Sequence, residues 1–338
     1  MGFLYLYISV TKEKEMRKTT ISTNIERAVI EINGGCNYTC QMCPQSNPGR
    51  SKGFLKKMPI DEFEKYVVEC AKRGVKVVNL EGSGEATLVR NLPEYISILT
   101  KYNIKSFIYS NGFRFKGQFM KDCIDAGLSR FRFSIIGYNR ETYIKWMNQD
   151  SFELVKQNAI EAQKYIKETR SSTEIASYHL ILNNSNLEYE LNEYIKNFIE
   201  PTNSLAEVWK MHNWSGVYDN PNERIGNKKT CGRPFAPEIT IRAGGLDGKT
   251  GAVHPCCQVL GNDDEAVLGH LSDESFDDVW NGDLYKELRQ GHIDGNYPSY
   301  CQNCDFLVDD TEVMVYTNHD RTTHNLAGTS FDLDDYRP

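Results

Sequence analysis

The chain has 338 residues, 40% hydrophobic and 25% charged, enough for one large buried core with a smaller appendage. Its 46 acidic residues against 39 Lys and Arg leave a net charge of -7, which argues against a partner held by a phosphate backbone, so nucleic acid is not expected. No run approaches membrane-spanning length, and ten cysteines without an export signal point to a reducing, cytoplasmic setting where clustered thiols more often hold metal than pair in disulfides.

In chain order, a flexible N-terminus over 1–22 precedes six short apolar or β-branched runs that read as strands: RAVIEIN (27–33), VKVVNLE (75–81), IKSFIYS (104–110), SRFRFSI (129–135), ASYHLIL (176–182) and AEVWKMH (206–212). Between them lie five stretches with apolar residues at helical spacing, from PIDEFEKYVVECAKRG to NLEYELNEYIKNFIE. Strand and helix alternating in this way predict an α/β fold of parallel strands joined by crossover helices, either a barrel or an open sheet. Beyond about residue 220 the texture changes to a loop, a hairpin over 238–255, a helix around SFDDVWNGDLYKELRQG, and an acidic, irregular tail over 311–338.

The segment CNYTCQMC (36–43) places three cysteines in the loop after the first strand, the edge where such sheets gather their chemistry. Three thiols are too few for a four-thiolate zinc site. Either a distant His or Cys completes one, or three thiolates hold an iron-sulfur cluster with one iron open to an outside ligand. A second group, Cys231, Cys256, Cys257, Cys301 and Cys304, lies beyond the last strand and includes the pair CQNC; a zinc knuckle and a second cluster both suit it. Cys70 and Cys123 fall at apolar helix positions and read as core thiols.

The spacing CxxxCxxC after strand one of a six-fold β/α chain resembles the radical S-adenosylmethionine enzymes, and the resemblance covers most of the chain. It implies a partial (β/α)6 TIM-type barrel over 23–222, in which Cys36, Cys40 and Cys43 hold a 4Fe-4S cluster whose open iron takes S-adenosylmethionine. Further cofactor contacts are implied at Met42, where the family usually has an aromatic residue, and at Ser83, Gly84 and Glu85 of GSGEATL, which is similar to its Gly-Gly-Glu segment. Ser110 and Asn111 of SNG, Ser134 on strand four, and Asn183 or Asn184 after strand five complete that set. The second cysteine group resembles a SPASM/twitch domain over 223–310 with one auxiliary 4Fe-4S cluster, on Cys231, Cys256, Cys301 and Cys304, with Cys257 the rival to Cys256.

The one-cluster form is similar to the aminocyclitol dehydrogenases. That similarity implies oxidation of a secondary alcohol of a sugar- or cyclitol-like substrate, free, phosphorylated or nucleotide-linked, with the auxiliary cluster as electron acceptor and a flavodoxin or ferredoxin as electron donor. Polar residues near the expected barrel mouth are Glu81, Tyr138, Arg140, Lys210, His212 and Trp214. Lys210 and His212 alternate onto one face of strand six, so either is a candidate base; Arg140 suits a phosphate or carboxylate. Peptide modification or epimerisation is the competing reading, disfavoured by the 35 residues before Cys36. An electron carrier or redox sensor without turnover is the reading from another class.

Overall fold

The computed structural model describes residues 21–46, 57–218, 230–244, 249–260, 266–307, 314–317 and 322–325. Six parallel strands form where the apolar runs predict them: β1 (Arg27–Ile30), β2 (Val77–Leu80), β3 (Lys105–Ser110), β4 (Arg130–Ser134), β5 (Glu174–Ile181) and β6 (Leu205–Lys210). They lie side by side in chain order, so each crossover moves one strand along the sheet. The arc stays open. β7 (Glu238–Arg242) takes the free edge of β1 in parallel, and β10 (Met314–Thr317) takes that of β6 antiparallel. Each edge therefore finds a partner other than the opposite edge.

One expectation is corrected here and one is extended. The tail read as irregular supplies β10 and its hairpin partner β11 (Thr322–Asn325). The hairpin read over 238–255 forms as β7 with β8 (Ala252–His254) and continues into β9 (Gly269–His270), but it extends the main sheet through β1, so the change of texture near residue 220 is no break in the sheet. Of the flexible N-terminus only Ile21 and Ser22 fall within the described residues. Ile21 donates its N–H to Asn281 Oδ1 (3.3 Å), and Ser22 accepts from the Trp280 indole (3.1 Å).

The helices follow from their sequences. α1 (Ile60–Lys72) carries Asp61 and Glu62 in its first turn and Lys72 in its last, complementing the helix dipole, and buries Phe63, Tyr66, Val67 and Cys70 along one face. α2 (Leu92–Lys101), α3 (Gly117–Asp125) and α5 (Phe152–Thr169) follow the predicted stretches. Cys70 and Cys123 are fully buried. A short α4 (Arg140–Met147) was not legible; its capping box pairs Asn139 with Thr142. α6 (Leu187–Tyr194) runs on into a π turn, Ile195–Ile199. The stretch read as one C-terminal helix is two, α7 (Phe276–Trp280) and α8 (Asp283–Asp294). They break at Gly282, where a Cβ would stand 2.5 Å from the Asp278 carbonyl oxygen.

Where β1, β2 and β7 end together, one buried ion pair joins them. Glu31 and Arg242 meet at 3.2 Å with each side chain 1% exposed. Glu31 also accepts the N–H groups of Ser83 and Ala243, and Arg242 donates to the Val259 carbonyl (3.1 Å). Removing one partner leaves the other charged and unpaired in the interior. Glu31→Ala should therefore lower unfolding stability by ~3–5 kcal/mol in chemical denaturation, with part of the loss recovered in Glu31→Ala/Arg242→Met.

In α8, His292 is buried and shares a hydrogen bond with Thr230 (3.0 Å). Desolvation lowers its pKa from 6.5 to about 4. The unfolded chain then binds the proton first, so the stability contribution is intact above pH ~6.5 and is lost as pH falls toward ~4, amounting to about 3 kcal/mol. Denaturation midpoints measured down that range should fall less steeply in His292→Gln than in the wild type.

Candidate active site

The C-terminal ends of β1 to β6 and the start of the appendage enclose a cavity of about 800 Å³. Cys36, Cys40 and Cys43 line its upper wall. Their loop is wound tightly, with Cys43 N–H donating to the Cys40 carbonyl (3.0 Å) and Tyr38 N–H to Cys36 Sγ (3.4 Å). Desolvation pushes the Cys36 thiol up to about 12, the nearby Glu85 carboxylate adding to the shift, and raises Cys40 and Cys43 as well. A cationic centre among them is what would make three adjacent thiolates favourable.

The GSGE loop docks directly on this segment. A Cβ on Gly84 would lie 2.3 Å from the Asn33 carbonyl oxygen, and one on Gly82 would strike the Glu31 carboxylate at 2.2 Å, so both positions require glycine for close approach. Glu85 N–H donates to Gly35 O (2.9 Å), and Asn33 Nδ2 bridges Gly35 O (2.7 Å) and Glu85 O (2.9 Å). The buried Glu85 carboxylate accepts from Thr87 N–H (2.9 Å), the Thr87 hydroxyl (2.6 Å), Ser110 Oγ (2.7 Å) and Asn111 N–H (2.9 Å). It straps the end of β3 to the loop after β2. Met42, Ser83, Gly84, Glu85, Ser110, Asn111 and Ser134 all line the cavity beside the thiols. Ser83 Oγ is buried there with no hydrogen-bond partner among the described residues, which suits it to a polar ligand. These residues fit an iron-sulfur cluster with S-adenosylmethionine beside it.

Other sequence candidates are not brought together. Asn183 is exposed and spends its side chain on Ser185 in a local turn, while the Asn184 side chain lies outside the described residues. Tyr138 packs against Tyr189, and Arg140 pairs with Asp150 at the protein surface, 59% exposed; neither lines the cavity. Lys210 ends β6, and its side chain lies outside the described residues. His212 and Trp214 do line the cavity, with the His212 ring set between Trp214 and Phe306.

The lower wall was missed. Arg130, Arg132 and Ser134 alternate with Phe131 and Phe133 along β4, so the phenylalanines enter the outer core while the arginines face inward. Glu207 on β6 accepts from both arginines, and Glu238 on β7 pairs with Arg27 (3.8 Å) and Arg233 (3.5 Å). The strict alternation in SRFRFSI was the available signal; its polar half faces a cavity rather than solvent.

The appendage divides its cysteines. Cys301 and Cys304 each feel the charges of Cys231 and Cys256, and Cys231 that of Cys256. Cys257 instead lines the main cavity, 3.5 Å from Arg233 Nη1. Among the described residues no three His, Cys, Asp or Glu side chains converge on a point that could hold a single metal ion. Cys231, Cys256, Cys301 and Cys304 share one neighbourhood, one thiol for each iron of a single cluster. Cys256→Ala should accordingly lower the iron content of anaerobically reconstituted protein by about four per chain, one cluster, whereas Cys257→Ala should keep the wild-type iron count.

The Radical SAM superfamily matches residues 30–188, and the iron-sulfur cluster-binding domain SPASM matches residues 248–305. A GTP 3',8-cyclase of Helicobacter pylori is 28% identical over 126 residues, 37% of this chain and 39% of that protein; another from the same species is 25% identical over 170 residues, 50% and 51%. The chain thus spans between two fifths and about half the length of these curated relatives. Among solved structures, BtrN in complex with AdoMet and 2-DOIA has a TM-score of 0.57 at 16% identity, covering 89% of this chain and 98% of that one. SuiB of Streptococcus suis bound to S-adenosylmethionine has a TM-score of 0.54 at 16% identity, covering 84% and 73%. Such identities show a shared fold. The chain therefore carries a radical SAM domain over residues 30–188, which implies a 4Fe-4S cluster and S-adenosylmethionine, and a SPASM domain over residues 248–305, which implies an auxiliary iron-sulfur cluster.

Proposed function

We propose that the protein is an oxidoreductase that converts a secondary alcohol of a small sugar- or cyclitol-like molecule to a ketone. The observation that carries this reading is the cavity itself, which reaches from the Cys36–Cys43 loop to the appendage and is walled by groups suited to hydroxyls: Arg132, Glu207, Arg233, Glu238, Trp209 and Glu81. Arg132 Nε, Arg233 Nε and Trp209 Nε1 are buried donors with no partner among the described residues, and substrate oxygens would satisfy them.

When bound, S-adenosylmethionine and its cluster supply a carbon-centred oxidant that removes one hydrogen atom from an unactivated carbon. Cys36, Cys40 and Cys43 would hold that cluster, with Ser83, Ser134 and Met42 beside the cofactor. Cys231, Cys256, Cys301 and Cys304 provide four thiols, one for each iron of an auxiliary cluster, which leaves no coordination place for substrate and suits an electron acceptor. The hydrogen-bonding walls orient the alcohol and keep out bulk water. A one-electron donor of the flavodoxin or ferredoxin kind would start each turnover.

The test is anaerobic incubation of reconstituted enzyme with S-adenosylmethionine, dithionite and a panel of cyclitols and hexoses deuterated at their carbinol carbons. Deuterium should appear in 5'-deoxyadenosine together with an equal amount of ketone. In a folded Cys301→Ala/Cys304→Ala variant that keeps its first cluster, ketone per deuterated 5'-deoxyadenosine should drop sharply. Undiminished ketone in that variant would overturn the acceptor role, and deuterium return without ketone in the wild type would favour epimerisation.

A further inference from the structure

We propose that Glu81 takes the hydroxyl proton of the alcohol as it is oxidised. This rests on the reading of the protein as an alcohol-oxidising enzyme and names a proton acceptor for it.

Four carboxylates line the cavity, and three are already committed. Glu85 accepts four hydrogen bonds from protein donors, Glu207 is clasped by Arg130 and Arg132, and Glu238 by Arg27 and Arg233. The oxygens of these three are already taken up by protein donors. Glu81, the first residue past β2, accepts only from Asn79 Nδ2 (3.2 Å) and makes no ion pair among the described residues. Its other oxygen is left for a ligand. Arg132 Nε, buried and without a hydrogen-bond partner among the described residues, also lines the cavity, so one substrate hydroxyl can donate to Glu81 while a neighbouring oxygen accepts from Arg132. His212 is the less suitable acceptor, its ring lying 4.4 Å from that of Trp214 and 5.6 Å from that of Phe306 (centroid to centroid).

The charged and titratable groups that act on Glu81 are Arg132 from β4, and Glu238 and Arg242 from β7; Glu81 in turn acts on Tyr109 of β3, Tyr178 of β5 and Cys257 of the appendage. Desolvation dominates and raises the Glu81 pKa, with Arg132 opposing it. The group therefore moves toward the range in which a general base works best.

The step balances. One hydrogen atom leaves the carbinol carbon for the carbon-centred oxidant, the hydroxyl proton passes to a Glu81 oxygen, and the one remaining electron passes to the oxidised auxiliary cluster. The C–H and O–H bonds break and the C=O double bond is completed.

Two measurements test the assignment. Infrared difference spectra of the holoprotein, wild type minus Glu81→Gln, isolate this carboxyl group across a pH series. A carboxyl band that persists above the ordinary glutamate range supports the proposal, and one that titrates within that range overturns it. With whichever deuterated alcohol of the panel the wild type oxidises, the ratio of ketone to deuterated 5'-deoxyadenosine should fall ~100-fold or more in Glu81→Gln and recover in part in Glu81→Asp. The wild-type ratio should also fall on the acid side, at a pH above the ordinary glutamate range. An unchanged ratio in Glu81→Gln would overturn the proposal. If the wild type transfers no deuterium from any alcohol in the panel, the oxidation reading itself falls, and the proposal with it, before any variant is compared.

Discussion

Burying an ion pair is expensive, and the Glu31–Arg242 pair is kept where several chain segments meet. The carboxylate of Glu31 reaches the Ser83 N–H in the loop after β2 and the Ala243 N–H after β7, while Arg242 holds the Val259 carbonyl. Val259 lies two residues beyond Cys257. One pair of charges thus sets the GSGE loop, which packs against the first cysteine segment, and the turn that carries the second. The desolvation cost of two ions is offset by hydrogen bonds at short range in a low dielectric. It also explains why β7 runs parallel to β1 instead of folding away as a separate unit: the strand must deliver Arg242 to the end of β1.

The same balance governs the cavity. On its lower wall each of two glutamates, Glu207 and Glu238, is held between two arginines before any ligand arrives. Arg132 additionally lies over the Tyr109 ring at 4.0 Å, a contact that favours the cation without consuming its donors. Groups held this way are pre-oriented and lose little freedom when a polar substrate binds. The donors left over, and the Glu81 carboxylate, whose one hydrogen bond among the described residues comes from Asn79, give the cavity its chemical direction.

The two cysteine groups show the contrast between a loop and a fold-level arrangement. The first is local: eight residues in one turn gather three thiols. The second draws Cys231, Cys256 and the Cys301–Cys304 pair from three distant segments, and its assembly depends on the β7–β8 hairpin and on α8 packing beneath it.

How much was legible follows from range. The six strands, most of the helices between them and the first thiol cluster were readable because each is encoded within a few residues: alternation, helical spacing, capping, and the CxxxCxxC spacing itself. The order of Cys36, GSGE, SNG and Ser134 at successive strand ends was readable for the same reason, since parallel strands bring their C-terminal ends to one edge. What only the tertiary structure decided involves partners far apart in sequence. Glu31 looked like one polar residue in an apolar strand, and its cation lies 211 positions away. Arg132 and Glu207 were unremarkable until β4 and β6 turned them into one cavity. Cys256 and Cys257 are neighbours in sequence, yet Cys257 lines the cavity beside Arg233 while Cys256 acts on Cys231, Cys301 and Cys304. Tyr138 and Arg140 followed β4 as the mouth of a barrel requires, yet the capping box at Asn139 starts a helix there and turns both away.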